Sequence, residues 1–437
     1  SLMSQDLSLT LDDVPVTPQV GAGVAGLTER LQAVTRKASG TYESHIEALR
    51  LPADPSILSE VTHLVQKYWT NQLKYVIVIG IGGSNLGAKA VVEALQGTMG
   101  AHLGHAPQLL FADTVSPRLL LDLEQIMLQK VAYAEEVVIN LVSKSGATTE
   151  SIANFDILYA SLAKRFPDLL ARVVVTTDHG SKLWTLAEEH GVGLLPLPKE
   201  IGGRWSVFST VGLFPLMLAG VSAEELLAGA RSVTESALTR ENAPLRYATA
   251  LYRAHKGGAT MVNFFFFNPE FESLGKWARQ LYAESLGKEK DRSGKVVHAG
   301  ITPIVSIGST DLHSMAQLYL GGPHDKFTLF TYVPERTKLK VSQDGMFLPL
   351  VSGLAGKSPE ELMGAIYDGV RAAYATHQLP RGEMRLSAIS PYAIGQFLQF
   401  HMIAVVYLAE MLHVDPFDQP NVEDYKKVTR EILEHVQ

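Results

Sequence analysis

The sequence predicts an α/β protein that consists of two parallel-sheet domains in tandem. Apolar, strand-like runs alternate with helical segments along most of the 437 residues. This alternation is the pattern of βαβ units with right-handed crossovers. It occurs once in each half of the chain, without a short-period repeat. A chain of this length is also long enough for two or three domains of typical size.

The first half opens its sheet with Tyr75–Ile79, an apolar run that is followed by three glycines within four residues. Leu86–Leu95 then predicts an apolar helix. Glu136–Val142 and Arg172–Thr177 predict two further strands, with a helix over Ile152–Phe166 between them. These elements predict a parallel sheet, because each helix returns the chain to the edge where the next strand starts.

The second half repeats this order of elements. Ala259–Phe267, Thr302–Ile307 and Lys326–Val333 predict buried strands, and Glu270–Gly287 and Leu312–Leu320 predict the helices between them. With the two sheets side by side, we expect the carboxyl ends of both sets of strands to face one crevice, where ligands of parallel sheets bind.

The segments outside the two sheets are expected to be helical. Prolines interrupt the helical pattern of residues 1–70, residues 220–255 are rich in alanine, and Pro420–Gln437 predicts an amphipathic helix. The expected organisation is an N-terminal helical extension at 1–70, a first domain at 71–225, a second domain at 226–412 and a C-terminal helix at 413–437.

Composition narrows the class of protein. The net charge of −7 and the lack of a basic run argue against nucleic acid as a partner. The chain has no cysteine, which excludes disulfides, thiolate catalysis and zinc–thiolate sites and is compatible with a reducing compartment. The N-terminus lacks the basic-then-apolar pattern of a signal sequence. We therefore expect a cytoplasmic protein without a membrane partner.

The longest apolar stretch is Ile394–His413, which is long enough to raise the alternative of a membrane span. Gln396, Gln399, His401 and Glu410 interrupt it, however, and no basic flank follows. We therefore expect a central buried helix.

A strand, a glycine turn and a helix start predict an anion site at Gly80–Asn85. Backbone N–H groups point outwards at such a turn, and the helix dipole favours negative charge. A dinucleotide motif would need glycine where Asn85 stands, and a P-loop would need lysine where Ala88 stands. The loop therefore indicates a phosphate that is not part of a nucleotide. The alternative is only a tight turn between strand and helix.

A second phosphate signal is Ser143–Ser151, which places five hydroxyls, one glycine and Lys144 between a strand and a helix. Hydroxyl and backbone N–H groups at a helix start suit a phosphate dianion. The alternative is a helix cap, with Thr148 or Thr149 at the N-cap and Glu150 in the first turn.

The next candidates along the chain are an arginine that could stabilise an anion and a glutamate that could act as a base. Arg204 lies between a glycine pair and Trp205, where it could face a developing oxyanion. The alternative is an arginine stacked on Trp205 at the surface. Gln280 and Glu284 share one helix face, and a desolvated Glu284 would suit a general base. The alternative there is a surface pair of Glu284 with Lys288.

The remaining candidates lie further along the chain. His313 follows a strand in the first turn of a helix, where the dipole favours a neutral, proton-accepting ring. The alternative is a partly buried histidine with local hydrogen bonds. Gln419 and Lys426 are seven residues apart, hence on one helix face, which an ordinary solvated helix would also show. No metal motif occurs, since His102 and His105 lack a matching carboxylate.

Six motifs together are similar to those of a known family. They are, in chain order, GIGGSNLG, SKSGATTES, GGRWS, AESLGK, TDLHSM and FDQPNVEDYKK. The chain resembles the phosphoglucose isomerase family, in its shorter bacterial form, from about Tyr75 to Lys427. The resemblance implies two sugar-isomerase (SIS) domains, each a parallel sheet flanked by helices in a three-layer α/β/α sandwich. It also implies a homodimer with the site between domains and subunits, and no cofactor or metal.

The resemblance further implies a role for individual residues. Glu284 would be the base that moves a proton between C2 and C1, and Arg204 would stabilise the enediolate. His313, from the other subunit, and Lys426 would assist ring opening. The implied substrate-binding residues are Gly83, Ser84, Ser143, Lys144, Ser145, Thr148, Gln280 and Gln419.

The implied activity is the interconversion of glucose 6-phosphate and fructose 6-phosphate through a cis-enediol, a step of glycolysis and gluconeogenesis. One carboxylate can perform both proton transfers without a redox cofactor or a metal. The alternatives are a non-catalytic SIS-type sugar-phosphate sensor, an isomerase that also accepts mannose 6-phosphate, and an aminotransferring relative. The last ordinarily carries a cysteine nucleophile, which this chain lacks.

Overall fold

The computed structural model describes residues 7–12, 21–37, 39–105, 107–238 and 242–435. The strands are β1 (Ser8–Asp12), β2 (Tyr75–Ile79), β3 (Gln108–Ala112), β4 (Val137–Val142), β5 (Val173–Thr177), β6 (Gly193–Pro196), β7 (Met261–Phe266), β8 (Lys288–Lys290), β9 (Val296–Ala299), β10 (Thr302–Ile307), β11 (Lys326–Tyr332) and β12 (Arg381–Arg385).

The α-helices lie between and around these strands. They are α1 (Ala22–Arg36), α2 (Pro55–Tyr68), α3 (Leu86–Gln96), α4 (Pro117–Lys130), α5 (Thr149–Leu162), α6 (Lys182–Glu189), α7 (Thr210–Leu218), α8 (Ala223–Ala237), α9 (Ala243–Lys256), α10 (Glu272–Leu286), α11 (Ala316–Gly321), α12 (Pro359–Thr376), α13 (Pro391–Leu412) and α14 (Glu423–His435).

The first sheet has five parallel strands in the order β3-β2-β4-β5-β6. All six residues of β4 are buried, because helices cover both faces of a parallel sheet. The predicted strands β2, β4 and β5 are present. The sequence pattern does not predict β3 or β6. Both lie at the edges of the sheet, and β6 begins with Gly193 and ends with Pro196, which read as turn residues.

The second sheet has the order β1-β12-β11-β7-β10, in which only β1 is antiparallel to its neighbour. Helices were expected throughout residues 1–70, so this expectation is wrong at Ser8–Asp12. Ser8 pairs with Arg385, near the other end of the chain, and a short edge strand with so distant a partner leaves little local signal. Positions 1–6 and 13–20 of the expected extension lie outside the described residues.

Helix α13 forms the centre of the core. It packs against α8, α9 and α10. It is long and apolar enough to cross a membrane, but 94% of its most apolar window is buried inside the protein. Two of its buried polar side chains have hydrogen-bond partners inside the protein. Gln399 Nε2 donates to the Leu49 carbonyl, and the Tyr282 hydroxyl lies 2.8 Å from Nδ1 of His401. The expectation of a central buried helix is confirmed.

His401 gives the fold a pH dependence that can be measured. Burial lowers its pKa to about 3, so the ring is neutral in the folded protein at pH 5. The unfolded chain binds a proton there below about pH 6.5. Protonation of His401 in the unfolded chain therefore leaves the free energy of unfolding unchanged above about pH 6.5. Below that pH it lowers the free energy of unfolding progressively towards pH 3, by roughly 3 kcal/mol at pH 4.5.

We predict that His401→Leu loses less stability between pH 7 and pH 4.5 than the wild type does, whatever its stability at pH 7. Urea unfolding at the two pH values measures this difference. The matched control is His63→Leu, at an exposed position of α2. Equal losses in His401→Leu and in the wild type would contradict the assignment.

Helix α10 joins the two sheets. It packs on α3 and on the turn Gly203–Trp205 from the first half, and on β10 from the second. Its end lies beside the start of β10, since a Cβ atom on Gly300 would be 3.3 Å from Cα of Gly287. Gly82, which follows the carboxyl end of β2, approaches Gln280 near the same end of α10. The carboxyl edge of the first sheet therefore faces the amino edge of the second. The expected meeting of two carboxyl edges within one chain is wrong, because the crossover helix runs antiparallel to its strands.

Candidate active site

The glycine loop after β2 makes two close approaches. A Cβ atom on Gly83 would lie 2.1 Å from the carbonyl carbon of Gly203 and 2.4 Å from the backbone nitrogen of Arg204. Gly82 has a φ of 57°, and a Cβ atom there would lie 3.2 Å from Nε2 of Gln280. Glycine is therefore required for the loop to touch both the arginine turn and α10. A substrate contact at Gly83 stays a prediction.

Arg204 connects the segments of the site through five hydrogen bonds. Its side chain is 2% exposed, so the alternative of an arginine stacked at the surface is wrong. Burial lowers the pKa of Arg204, and the neighbouring Glu284 carboxylate opposes this effect. The guanidinium donates to Ser285 Oγ (2.9 Å), Glu284 Oε2 (3.1 Å), Gln419 Oε1 (2.7 Å) and the carbonyl oxygens of Pro416 and Asp418.

The Glu284 carboxylate is fixed at both oxygens. Oε2 accepts from Arg204, and Oε1 accepts from Nε2 of Gln280 at 3.3 Å, which confirms that the two α10 residues share a face. Glu284 keeps 36% of its side chain exposed, so it can reach a ligand in the crevice. The alternative surface pair is wrong, because the Lys288 ammonium donates to the Glu284 carbonyl and to Asp418.

Gln419 and Lys426 serve different parts of the crevice. Gln419 precedes the helical turn Pro420–Val422, and its side chain accepts from Arg204. Lys426 lies one turn into α14 and pairs with Glu423 at 2.9 Å. The expected common helix face is therefore wrong, because the α-helix begins only at Glu423.

The hydroxyl loop Ser143–Thr148 is held in a fixed shape at the carboxyl end of β4. The hydroxyls of Ser143 and Thr148 are 2.8 Å apart, and Ser143 Oγ also accepts from the Gly146 N–H at 3.1 Å. Ser145 Oγ accepts from the Ala147 N–H at 3.2 Å and is exposed. Thr148 stands at the N-cap of α5, but its hydroxyl makes no cap bond. A helix cap alone therefore does not explain this loop.

A cavity of about 240 Å³ separates the hydroxyl loop from α14. Two cations, Lys426 and Arg430, face hydroxyl groups across it. Hydroxyls and cations at the start of α5 can bind a phosphate dianion, and Lys426 would then exchange its present partner Glu423, which lines the same cavity with Glu150, for the phosphate. Arg430 was not among the sequence candidates, although its place one turn after Lys426 puts both on one face. The cavity is lined by Ser145, Ala147, Thr148, Thr149, Glu150, Glu423, Tyr425, Lys426, Thr429 and Arg430.

Lys144 is a further cation of the hydroxyl loop. It is half-buried, and burial lowers its pKa, while the carboxylates of Asp178 and Glu200 oppose the shift. Arg204 is also close enough to lower this pKa. The Lys144 ammonium is therefore within electrostatic reach of the arginine turn.

Two polar atoms beside the glycine loop have no hydrogen-bond partner among the described residues. They are Nδ2 of Asn85 and Oε1 of Gln280, and both are buried. Ser84, the neighbour of Asn85, is half-buried at the end of the Gly82–Ser84 turn.

His313 lies apart from this group. Its exposed ring follows β10, and within the described ranges it makes no hydrogen bond or ion pair. The six residues of β10 separate it from the end of α10, which is ~20 Å at the rise of a strand. The other predicted site residues gather at the facing edges of the two sheets, and His313 does not join them within one chain.

The described residues hold no group of three or more His, Asp or Glu side chains that could bind a metal ion. What the crevice does offer is a carboxylate, a buried arginine and hydroxyl groups with two cations, in an α/β frame of two sheets. Such a site can bind an anionic ligand and place a general base against it.

Comparison with known proteins gives the family. The sequence model described as Phosphoglucose isomerase matches residues 65–437. The glucose-6-phosphate isomerase of Carboxydothermus hydrogenoformans is 33% identical over 376 residues, which cover 83% of this chain and 79% of that protein. This chain belongs to the phosphoglucose isomerase family.

Solved structures share the fold. A hypothetical protein from Thermus thermophilus is 31% identical and superposes with a TM-score of 0.83, over 98% of this chain and 100% of that one. A glucose-6-phosphate isomerase from Chlamydia trachomatis is 20% identical, with a TM-score of 0.75 over 92% of this chain and 78% of that one. The expected α/β class is confirmed.

Proposed function

We propose that this chain interconverts D-glucose 6-phosphate and D-fructose 6-phosphate through a cis-enediol(ate), with Glu284 as the base. The chain is an aldose–ketose isomerase by its family. The observation that carries the assignment of the base is the Glu284 carboxylate, which is held between Arg204 and Gln280 and remains open to the crevice. The reaction is a step of glycolysis and gluconeogenesis, and we place the enzyme in the cytoplasm.

The proton transfer needs one carboxylate. In the direction of ketose formation, ionised Glu284 accepts the proton from C2 of the open-chain aldose and returns it to C1 of the enediol. The electron pair of the broken C2–H bond forms the C1–C2 double bond as the carbonyl oxygen O1 gains negative charge. The proton of the 2-hydroxyl passes to O1, so that O2 becomes the carbonyl oxygen of the ketose when the electron pair of the double bond takes the proton back from Glu284 at C1. Such a step is within the reach of a positioned general base. Gln280, which donates to Oε1, keeps that oxygen in a fixed direction.

Arg204 stabilises the charge that develops in this step. Its guanidinium is already buried and hydrogen-bonded, so little reorganisation accompanies the reaction. We assign Gln419, which accepts from the same guanidinium, to the substrate hydroxyls beside the reacting carbons.

The substrate phosphate belongs, in this proposal, in the cavity between the hydroxyl loop and α14. Ser145 and Thr148 supply hydroxyls, and Lys426 and Arg430 supply positive charge, from the lining of this cavity. Ser143, which is buried, holds the Thr148 hydroxyl in place, and Lys144 is a further cation of the same loop. Binding energy gained there, away from the reacting carbons, orients C1 and C2 against Glu284. Ser84 would contact the sugar from the glycine loop.

We further propose a homodimer in which His313 reaches the crevice of the partner. Two observations support this: His313 is exposed, and β10 holds it away from Glu284 of its own chain. In this position His313 would open the sugar ring together with Lys426.

Mixing two inactive variants tests the proposed exchange of His313. Glu284→Gln and His313→Gln are each expected to lose activity at least ~10-fold. Refolded together, they should form heterodimers with one intact site, which restores about a quarter of wild-type activity. Activity no greater than the sum of the two separate variants would show that His313 acts within its own chain or not at all.

A coupled assay with fructose 6-phosphate separates the proposed function from the alternatives. Formation of glucose 6-phosphate without added metal or cofactor is the expected result. Binding of the sugar phosphate without turnover would instead support a sensor. A parallel assay with mannose 6-phosphate decides between narrow and broad specificity. Formation of glucosamine 6-phosphate from fructose 6-phosphate and glutamine tests the aminotransferring alternative.

A further inference from the structure

Lys288 is a buried cation next to the proposed active site, and the proposed mechanism gives it no role. Only 4% of its side chain is exposed, and burial lowers its pKa. Its ammonium donates to three acceptors: the Glu284 carbonyl at 2.9 Å, Oδ1 of Asp418 at 2.9 Å and the Asp418 carbonyl. All three donor hydrogens are therefore used within the protein, which compensates the cost of removing the charge from water.

Each of these acceptors belongs to a segment that carries a residue of the proposed site, which is Glu284 on α10 and Gln419 next to Asp418. The Glu284 carbonyl is one of the last four of α10, which have no partner inside the helix, and a cation at this end also complements the helix dipole. The Asp418 carbonyl accepts from Nη2 of Arg204 as well, at 3.1 Å. Lys288 thus connects the end of α10 to the Asp418 carbonyl, which also accepts a hydrogen bond from Arg204.

The hairpin β8–β9 holds the same segment at two further points. The Arg292 N–H donates to the His413 carbonyl, and Nε of Arg292 donates to the Val414 carbonyl at 3.1 Å. Asn421 Nδ2 donates to Glu289 at 3.0 Å. Residues 413–421, which include Gln419, are therefore held against the hairpin on both sides of Asp418, and Lys288 is the buried contact between them.

We propose that Lys288 is a positioning residue for the isomerisation. It fixes the Glu284 carboxylate relative to the Arg204–Gln419 pair and does not touch the substrate. Without it, the end of α10 and the 413–421 segment would be connected through Arg204 and through the hairpin contacts at Arg292 and Asn421, and the buried contact beside Glu284 would be lost. A shift of about 1 Å between a base and an anion-stabilising group can cost ~10² in rate, so a lysine outside the crevice can control kcat.

The inference rests on the proposed function, and the wild type tests that function in the same assay. Lys288→Met is expected to lower kcat by ~10- to 100-fold with KM changed less than ~3-fold, because the phosphate contacts are untouched. The affinity of Lys288→Met for an aldonate phosphate, which mimics the enediolate, should fall at least ~10-fold. Its affinity for a sugar-alcohol phosphate should equal that of the wild type. Lys288→Arg should recover part of kcat.

The matched control is Lys290→Met, two residues along the same strand, where the side chain is exposed. It removes the same charge and should behave as the wild type. Hydrogen exchange of the 413–421 amides, measured without substrate, should rise in Lys288→Met only. Should Lys288→Met not fold, Asp418→Ala, at a side chain that is 53% exposed, should lower kcat several-fold in the same pattern.

Two results would overturn the inference. One is a Lys288→Met enzyme with a lower melting temperature but wild-type kcat and wild-type affinity for the aldonate phosphate, which would make the lysine purely structural. The other is equal weakening of both inhibitors, which would indicate general collapse of the crevice. A wild type that fails to isomerise fructose 6-phosphate would reject the proposed function, whatever Lys288→Met does to hydrogen exchange.

Discussion

Glu284→Gln is expected to lower kcat at least ~10²-fold and to leave substrate binding nearly intact. The amide keeps the size of the side chain and can still occupy the place between Arg204 and Gln280. It cannot accept the proton from C2, so the reaction loses its base. Because the cavity proposed to hold the phosphate lies elsewhere, between the hydroxyl loop and α14, KM should change little.

The measurement is a coupled assay with fructose 6-phosphate, together with deuterium incorporation from heavy water into the sugar. The control is Glu272→Gln, in the first turn of the same helix, where the carboxylate pairs with Lys276 at the surface. It should match the wild type. Turnover retained in Glu284→Gln would reject Glu284 as the base.

Arg204→Lys is expected to have the second large effect, a fall in kcat of ~10²–10³-fold, which corresponds to about 3–4 kcal/mol. Lysine keeps the charge but has three donors in place of five and no planar fork, so it cannot satisfy all five acceptors of Arg204 at the same time. The unpaired acceptors left in the buried site should also lower the stability of the protein.

Kinetics and stability must therefore be measured on the same preparation. The kcat of Arg204→Lys should be low at temperatures where circular dichroism shows a folded protein, and affinity for an aldonate phosphate should fall more than affinity for a sugar-alcohol phosphate. The control is Arg118→Lys, whose side chain is 88% exposed. A folded Arg204→Lys variant with wild-type kcat would remove Arg204 from the mechanism.

Local patterns predict the part of the site that lies close in sequence. The glycine loop between Tyr75–Ile79 and α3 and the hydroxyl loop after β4 are each one strand–turn–helix unit, so their residues are visible in a short window. The side-by-side placement of Gln280 and Glu284 follows equally from the helical period.

Contacts between distant segments could not be predicted in this way. Spacing alone favours a surface pair of Glu284 with Lys288, whereas the fold turns Lys288 towards Asp418, which lies 130 residues further along. β12 is polar in sequence, but Glu383 is buried there because Arg371 and Arg385 pair with it. Arg430 becomes a candidate only once α14 lies across the hydroxyl loop.

The direction of α10 explains why the crevice differs from the expected one. The sequence identifies parallel sheets, and carboxyl edges are their usual binding edges. The structure instead brings the end of α10 to the carboxyl edge of the first sheet, and so leaves His313 at the far end of β10. The order of strands and helices along the chain does not predict how the two sheets are oriented relative to each other.

A crystal of Glu284→Gln soaked with fructose 6-phosphate tests the central claim most directly. We predict the phosphorus atom against Ser143–Thr148 and both C1 and C2 within ~3.5 Å of the side chain at position 284. A sugar bound with these carbons far from that side chain, which instead points into bulk solvent, would contradict the proposed mechanism.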